Sequence, residues 1–265
     1  MRNGISSWYR TSGLLIGALL SVAVGQDDGL PVVIAHRGAS AVAPENTSSA
    51  IQAALSLGVK VIEFDVRRTS DGVLVLFHDD KLKRITGRPG ALESLPFSEV
   101  QKLDVGAWFG DGSFAGEKVI TLDQAVRLCR EGGAVPLIEH KTGAASDYAT
   151  VIRAAKATEA VIIQSFDWEF LTALKSELPA AKLGALGSKK LSSSRLTSLQ
   201  SLQPKWVGWK HSDLSASNLI ALRERGFRVA LWTVNDLDIA SKWAARGVDG
   251  LITDHPGQVT ARLSR

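Results

Sequence analysis

The sequence has a single cysteine, Cys129, in 265 residues, so the chain cannot form an internal disulfide bond. If the protein is exported, its stability must therefore depend on its hydrophobic core. Cys129 follows the apolar positions Leu122, Ala125, Val126 and Leu128, and we expect it to be a buried packing residue. No spacing rich in histidine or cysteine is present, which argues against a zinc site.

An excess of charge of one sign is also lacking. The formal net charge is +4, which becomes +4 − 2 = +2 if Arg2 and Arg10 are removed with an N-terminal leader. Because this charge is weak and scattered, we do not expect the protein to bind nucleic acid. Neither low-complexity runs nor short repeats occur, and 45% hydrophobic and 22% charged residues are typical of a globular protein. A chain of 265 residues is long enough for one large α/β domain or two small ones.

Long hydrophobic runs are absent except near the N-terminus. Arg2 and Arg10 accompany a charge-free, mostly apolar stretch at residues 12–24, and Ala23 and Gly25 have the spacing that signal peptidase requires. The stretch is short for a membrane span, and no cysteine follows it that could carry a lipid. We therefore expect a signal peptide at 1–25, cleavage before Gln26, a domain at 26–265, and a secreted or periplasmic protein without stable membrane association. An uncleaved N-terminal anchor is the alternative.

Short apolar runs that are typical of strands alternate with amphipathic helical patterns along the rest of the chain. Eight strand patterns lie at residues 32–35, 61–66, 136–139, 161–164, 182–186, 206–209, 229–233 and 250–253. Continuous apolar strands that are joined by helices predict a parallel sheet covered on both faces. Eight such repeats predict an α/β fold of the closed (β/α)₈ TIM barrel type, with a doubly wound open sheet as the alternative.

Two departures from the repeat lie between the second and third barrel strands. Residues 73–77 form a ninth strand pattern, too close to the second strand for a parallel crossover. We predict a β-hairpin arm that turns at Ser70-Asp71-Gly72 and returns His78 to the neighbourhood of Asp65. The following segment, 79–120, is a long loop insertion, which in other proteins is often a lid or a binding loop. Trp108 and Phe109 within it either face a substrate or pin the loop to the barrel.

Three acidic residues lie on two of the predicted strands. Glu63 and Asp65 alternate along the second strand and so share one face, and Glu139 ends the third barrel strand. Isolated charges in a core are very costly, so we expect these side chains to gather at the rim of the barrel. Carboxylate oxygens are the ligands that a hard divalent cation prefers. The pattern predicts one divalent cation, Ca²⁺ or Mg²⁺.

Two histidines and two basic residues follow the same group of strands. His36 and His78 can exchange protons near neutral pH and are candidates for general acid–base catalysis. Arg37 and Lys141 are donors suited to a phosphate. Together with a metal, these groups indicate cleavage of a phosphate ester. His140 falls on the opposite strand face from Glu139 and Lys141, and we expect it to be structural.

Nine short motifs occur in order between about residues 31 and 257. They are His36-Arg37-Gly38, Pro44-Glu45-Asn46-Thr47, Glu63-Phe64-Asp65-Val66, Thr69-Ser70-Asp71-Gly72, Phe77-His78-Asp79, Glu139-His140-Lys141, Gln164-Ser165-Phe166, Trp232-Thr233-Val234-Asn235 and the segment from Val248 to Pro256. Each motif alone is weak, but the ordered set resembles the glycerophosphodiester phosphodiesterases, a phosphatidylinositol-phosphodiesterase-like TIM-barrel family. His140, where an aliphatic residue is more usual, and Val119 depart from the family pattern.

The resemblance implies metal-dependent hydrolysis of glycerophosphodiesters to sn-glycerol 3-phosphate and an alcohol. It also implies roles for nine residues: His36 and His78 as acid and base, Glu63, Asp65 and Glu139 as metal ligands, Arg37 and Lys141 at the phosphate, Glu45 near the metal site, and Trp232 at the substrate cleft. The attacking group is either water or the glycerol 2-hydroxyl, and the expected partner is a small-molecule phosphodiester.

Three rival functions have different requirements. A lysophospholipase D or a phosphatidylinositol-type phospholipase C needs an apolar groove for acyl chains, and only Trp108 and Phe109 suggest one. A non-catalytic secreted binding protein is disfavoured because both His36 and His78 are present. A metal-dependent sugar isomerase has the same fold, but Arg37 together with Lys141 favours phosphate.

Overall fold

The computed structural model describes residues 29–265, so the expected signal peptide and its cleavage site lie outside the described residues. Eight parallel strands form the barrel. They are β1 (Val32–Ala35), β2 (Val61–Arg68), β4 (Val135–His140), β5 (Ile162–Ser165), β6 (Lys182–Gly187), β7 (Trp206–Lys210), β8 (Arg228–Trp232) and β9 (Gly250–Thr253). Strand β1 pairs with both β2 and β9, which closes the sheet. The predicted (β/α)₈ barrel is thereby confirmed, and the open sheet is excluded.

Helices follow the barrel strands and cover the outside of the barrel. They are α1 (Ser48–Ser56), α4 (Leu122–Glu131), α5 (Ala145–Ala154), α6 (Trp168–Glu177), α7 (Ser193–Leu202), α8 (Ala216–Glu224), α9 (Leu237–Ala245) and α10 (Pro256–Leu263). Several begin at a side-chain cap: Thr47 accepts from the Ala50 amide, and Thr121 and Gln124 form a capping box at α4. No helix within residues 29–265 is long and apolar enough to cross a membrane.

Two apolar layers hold the barrel together. The larger layer lies between the strands and the helices and contains Cys129, whose thiol pKa burial raises to about 12. The smaller layer fills the barrel interior with Ile34, Val61, Val135, Leu137, Ile162, Trp206, Ala230 and Ile252. Several of these residues pair near the beginnings of their strands, such as Val61 with Val135. The opposite, carboxyl ends of the strands are therefore left for polar side chains.

The hairpin arm follows the prediction. Strand β3 (Leu74–Leu76) runs antiparallel to β2, with Val66 opposite Leu76. The turn is closed by the Thr69 amide, which donates to the Val73 carbonyl at 2.9 Å. Gly72 adopts a φ of 94° there, a conformation that glycine reaches without steric cost.

The insertion after the hairpin is more ordered than the predicted loop. It contains α2 (Lys83–Thr86), a 3₁₀ turn (Leu92–Ser94) and α3 (Phe97–Val100). These elements pack on a separate hydrophobic cluster of Val75, Phe77, Leu82, Ile85, Leu92, Val100, Leu103, Val105 and Val119. Each element spans a single turn, too short for hydrophobic periodicity to reveal it.

Trp108 and Phe109 contact other residues of the insertion. Their rings pack edge to face at 5.6 Å, and Phe109 packs in the same way on Phe114. The indole N–H of Trp108 donates to the Val105 carbonyl at 2.9 Å. These contacts stabilise the insertion itself, so they bear out neither a substrate-facing role nor a role in pinning the loop to the barrel.

Candidate active site

A small pocket of about 110 Å³ opens at the carboxyl ends of the barrel strands. This is the end at which TIM-barrel enzymes carry their active sites. Seven of the nine site residues expected from the sequence line the pocket, namely His36, Arg37, Glu63, His78, Glu139, Lys141 and Trp232. Of the other two, Asp65 is buried and lies next to Arg37, and Glu45 forms an ion pair with Arg37.

The three acids meet at one point of this pocket. Asp65 on β2 lies opposite Glu139 on β4, and Glu63 precedes Asp65 on the same face of β2. All three side chains are buried, and one oxygen of each lies within 4.8 Å of an oxygen of the others. Glu63 Oε1 has no hydrogen-bond partner within the described part of the chain. An unpartnered oxygen among three converging carboxylates fits a divalent cation that takes oxygen ligands.

Electrostatics in the acid cluster favour a bound cation. Burial raises the pKa of Glu63 well above its usual range, and the charges of Asp65 and Glu139 raise it further. Burial and Asp65 likewise raise the pKa of Glu139 to about 7. Burial opposes ionisation of Asp65 too, but Lys141 and Arg37 outweigh it and hold the pKa of Asp65 below its usual range. A bound cation would offset the repulsion among the three carboxylates. Without a cation, the raised pKa values of Glu63 and Glu139 favour their protonated forms, which reduces the same repulsion.

Backbone and amide groups hold two of these carboxylates. The Arg37 amide donates to Glu63 Oε2 at 2.9 Å. The side-chain amide of Asn46 forms two hydrogen bonds with Asp65. Its Nδ2 donates to Asp65 Oδ2, and its Oδ1 accepts from the Asp65 backbone amide, both at 2.9 Å. Sequence reasoning assigned no role to Asn46, although it lies in the Pro-Glu-Asn-Thr motif.

The turn after β1 that supplies Arg37 depends on Gly38. Gly38 has a φ of 82°, and a Cβ there would lie 2.6 Å from the backbone carbon of Ala50 on α1. A side chain at this position would therefore clash with the helix. Glycine allows the chain to turn tightly on α1, which brings the Arg37 amide to Glu63.

Two basic side chains border the acids. Arg37 Nε lies 3.1 Å from Asp65 Oδ2, and Lys141 Nζ lies 3.1 Å from Asp65 Oδ1 and also contacts Glu139. Burial would lower the pKa of Lys141, but Asp65 and Glu139 outweigh it and raise that pKa. Both side chains thus remain cationic at a pocket wall where an anionic group of a ligand can bind.

Each pocket histidine has a carboxylate on its Nδ1 atom. His36 Nδ1 lies 2.6 Å from Asp254 Oδ1, and His78 Nδ1 lies 2.7 Å from Asp79 Oδ1. A carboxylate accepts from Nδ1–H, so Nε2 is the nitrogen of each ring that remains for proton exchange with a ligand. Asp254 and Asp79 both belong to motifs of the sequence, but the sequence alone did not predict their pairing with the histidines.

The two carboxylates differ in their other partners. Asp254 accepts hydrogen bonds from the neutral groups Ser40 Oγ at 3.0 Å and Asn235 Nδ2 at 2.6 Å. Asp79 shares its charge with Arg84, whose Nε donates to it at 2.7 Å, and this hydrogen bond is the main reason that the pKa of Asp79 falls to about 2. The negative charge beside His78 is therefore partly neutralised, whereas that beside His36 is not.

The hairpin places His78 as predicted. The amide of the preceding residue, Phe77, donates to the Asp65 carbonyl at 3.0 Å. Burial lowers the pKa of His78, and Arg37 also acts to lower it, against the opposing effect of Asp65. Burial thus favours the uncharged form of the His78 imidazole.

An aromatic wall faces the charged groups. Trp232 packs edge to face on Phe166 at 5.5 Å, and Phe166 is 47% exposed. Gln164 is also in the pocket lining and pairs in register with Glu139 on the neighbouring strand. Neither Phe166 nor Gln164 was assigned a role from the sequence, although both belong to the Gln-Ser-Phe motif.

His140 lies away from the pocket, as its strand position predicts. Its ring stacks on Phe170 of α6 with 3.5 Å between centroids, and its Nδ1 lies 3.1 Å from Ser165 Oγ. It is therefore a packing residue between the barrel and the helical layer.

Comparisons with known proteins agree with this arrangement. A glycerophosphodiester phosphodiesterase from Caldanaerobacter subterraneus is 33% identical over 235 residues, 85% of this chain and 94% of that protein. A phosphodiesterase structure from Oleispira antarctica, in complex with the product sn-glycerol-3-phosphate, has a TM-score of 0.83 at 27% identity and covers 89% of this chain and 98% of that one. A glycerophosphodiester phosphodiesterase structure from Agrobacterium tumefaciens has a TM-score of 0.77 at 28% identity, over 88% of this chain and 100% of that one. Residues 36–258 match the sequence model of the glycerophosphoryl diester phosphodiesterase family, and the chain belongs to that family.

Proposed function

We propose that this enzyme hydrolyses glycerophosphodiesters to sn-glycerol 3-phosphate and an alcohol, with one divalent cation, Ca²⁺ or Mg²⁺, held by Glu63, Asp65 and Glu139. The observation that carries the proposal is the convergence of these three buried carboxylates with two histidines and two basic side chains on one pocket. The product complex of the Oleispira antarctica relative supports the choice of substrate class.

The basic side chains bind the phosphodiester. A bound cation would neutralise negative charge on the phosphate and polarise its phosphorus–oxygen bonds. Arg37 and Lys141 line the pocket next to the acid cluster and bind the remaining phosphate oxygens. Trp232 and Phe166 form the wall against which the apolar parts of the substrate pack. The phosphorus is thereby positioned between His36 and His78.

The environment of His78 favours it as the base, which leaves the role of the acid to His36. His78 is half-buried, and the charge of its partner Asp79 is shared with Arg84, so a neutral ring is favoured that accepts the proton of the attacking oxygen. His36, whose ring is oriented by Asp254 through Nδ1, then donates a proton to the leaving alcohol oxygen. The attacking oxygen belongs either to water or to the glycerol 2-hydroxyl, in which case water then opens a cyclic phosphate.

A substrate panel tests this function. The purified protein is stripped with a chelator and assayed against glycerophosphocholine, glycerophosphoethanolamine, glycerophosphoinositol and a lysophospholipid, with Ca²⁺ and Mg²⁺ restored in turn. We expect release of sn-glycerol 3-phosphate from the glycerophosphodiesters with at least one of these cations. Turnover of the lysophospholipid alone, or of none of the four, would contradict the proposal.

We also propose that the protein acts outside the cytoplasm after cleavage before Gln26. The support is the sequence of residues 1–25, with Arg2, Arg10 and the small residues Ala23 and Gly25. N-terminal sequencing of the protein from the secreted or periplasmic fraction should begin at or near Gln26. Recovery of the chain with an intact Met1 in the membrane fraction would refute this.

A further inference from the structure

Arg84 is a residue of the insertion that contacts two carboxylates near the pocket. Its Nε and one terminal nitrogen donate to Asp79 at 2.7 and 3.0 Å. Its two terminal nitrogens donate to Glu45, each at 2.8 Å. The guanidinium thus binds both carboxylates bidentately, the geometry in which arginine gives its strongest and most directional contacts.

Each of these carboxylates in turn contacts a pocket group. Asp79 accepts from His78 Nδ1 at 2.7 Å, and Glu45 accepts from an Arg37 terminal nitrogen at 2.8 Å. Arg84 itself is not among the residues that line the pocket. It is therefore one side chain removed from both a proton-transfer group and a phosphate-binding group, and it connects them.

The charge of Arg84 also acts on these neighbours. Glu45 is largely buried, which would raise its pKa, but the hydrogen bonds and charges of Arg84 and Arg37 outweigh burial and lower it. Asp79 is ionised for the same reason, with Arg84 as the main cause. Both carboxylates are thus held as anions, while Arg84 takes up part of the charge that Asp79 would otherwise direct at His78.

We propose that Arg84 is a positioning residue through which the insertion holds His78, by way of Asp79, and Arg37, by way of Glu45, for phosphodiester hydrolysis. The inference rests on the proposed function. It makes the insertion a functional part of the active site, although its helices and hydrophobic cluster lie outside the barrel. A merely structural ion pair is the competing explanation, and since the Arg84 side chain is 43% exposed, such a pair would contribute little to stability.

The test compares Arg84→Ala with Lys102→Ala in the full, cation-loaded protein. Lys102 lies on the surface of the same insertion and forms an exposed ion pair with Glu99, so it is a matched control. For Arg84→Ala we expect kcat/KM to fall by about 10–100-fold, as for other residues that support active-site groups through hydrogen bonds. Lys102→Ala should retain wild-type kinetics, and both variants should melt within a few degrees of the wild type.

Substitutions of the two carboxylates that contact Arg84 should affect different kinetic constants. Asp79→Asn acts on His78 and should lower kcat, whereas Glu45→Gln acts on Arg37 and should raise KM. Arg84→Ala should change both constants. Arg84→Lys keeps the charge but cannot bind two carboxylates bidentately, so its activity should lie between that of Arg84→Ala and that of the wild type.

The titration of His78, followed by NMR, separates positioning from structural support. In Arg84→Ala no guanidinium offsets the negative charge of Asp79, so the His78 pKa should rise. In Asp79→Asn that charge is lost, so the His78 pKa should fall. Asp65, Arg37 and Lys141 also act on His78, and none of them is substituted in either variant. Shifts in opposite directions are not expected from loosened packing.

The results can separate this inference from the proposed function. If Arg84→Ala matches Lys102→Ala in kcat, in KM and in the His78 titration while His78→Ala is impaired, the inference alone is overturned. If His78→Ala keeps wild-type turnover, His78 is not the base and the inference fails with that role. If the wild type releases sn-glycerol 3-phosphate from none of the glycerophosphodiesters, the proposed function fails. Should Arg84→Ala not fold, Arg84→Lys decides: wild-type kinetics and an unchanged His78 titration in that variant would also overturn the inference.

Discussion

Replacement of His36 or His78 by alanine should lower kcat for a glycerophosphodiester by about 10²–10⁴-fold, the range that is usual for loss of a general acid or base. The double variant should be scarcely slower than the slower single variant, because the two groups act in one reaction. Both variants should fold, since the two rings lie at the rim of the barrel and are partly exposed. His140→Ala is the control: its ring packs on Phe170 outside the pocket, so stability should fall while most of the turnover remains.

A substrate with a good leaving group can distinguish the two roles. A nitrophenyl phosphodiester needs little protonation of its leaving oxygen, so it should largely restore turnover in His36→Ala, which lacks the acid, and leave His78→Ala impaired. The wild-type pH profile should be bell-shaped, and each variant should lose one limb. If neither variant is restored and both have lost cation affinity, the histidines hold the site together and do not transfer protons.

Glu63→Gln should remove both cation binding and most of the turnover. Glu63 Oε1 is a buried oxygen of the acid cluster without a hydrogen-bond partner in the described chain, and an amide in its place is a poorer ligand for Ca²⁺ or Mg²⁺. Calorimetric titration of the chelator-stripped protein measures the affinity. Glu131→Gln, an exposed glutamate at the end of α4, is the matched control and should behave as the wild type.

Thermal stability gives a second measurement of the same change. At a cation concentration of 100 times Kd, binding should stabilise the wild type by about 2.7 kcal/mol and Glu63→Gln by far less. Without a cation, Glu63→Gln should be more stable than the wild type, because the substitution removes a buried carboxyl from beside Asp65 and Glu139. Full activity of the wild type in excess chelator, after dialysis, would show that no cation is needed.

The barrel and the acid cluster could be predicted because each depends on a local pattern. Strand alternation alone places Glu63 and Asp65 on one face, and the parallel pairing of β2 with β4 then brings Asp65 opposite Glu139. The Asp71-Gly72 turn predicts the hairpin and thus the return of His78. These features follow from residues that are close in sequence or on adjacent strands.

The contacts that orient the site could not be predicted in this way. His36 and Asp254 are 218 positions apart and meet only because β9 closes the barrel against β1. Asn46 reaches Asp65 from a loop in which its own φ is 60°, a conformation that no periodic pattern signals. The contacts of Arg84 depend on how the insertion folds back, and its single-turn helices were not visible in the sequence.

The insertion leaves and rejoins the barrel at neighbouring points, because the Leu76 amide of β3 donates to the Ile120 carbonyl at 2.9 Å and Val75 pairs with Thr121. Segments of quite different length can be grafted between these two points, since each doubling of loop length adds only about 0.6 kcal/mol to the entropic cost of closing it. Exchange of this segment is accordingly compatible with an unchanged barrel. A graft would have to return one guanidinium to Asp79 and Glu45, so the position of Arg84 limits which exchanges yield a working enzyme.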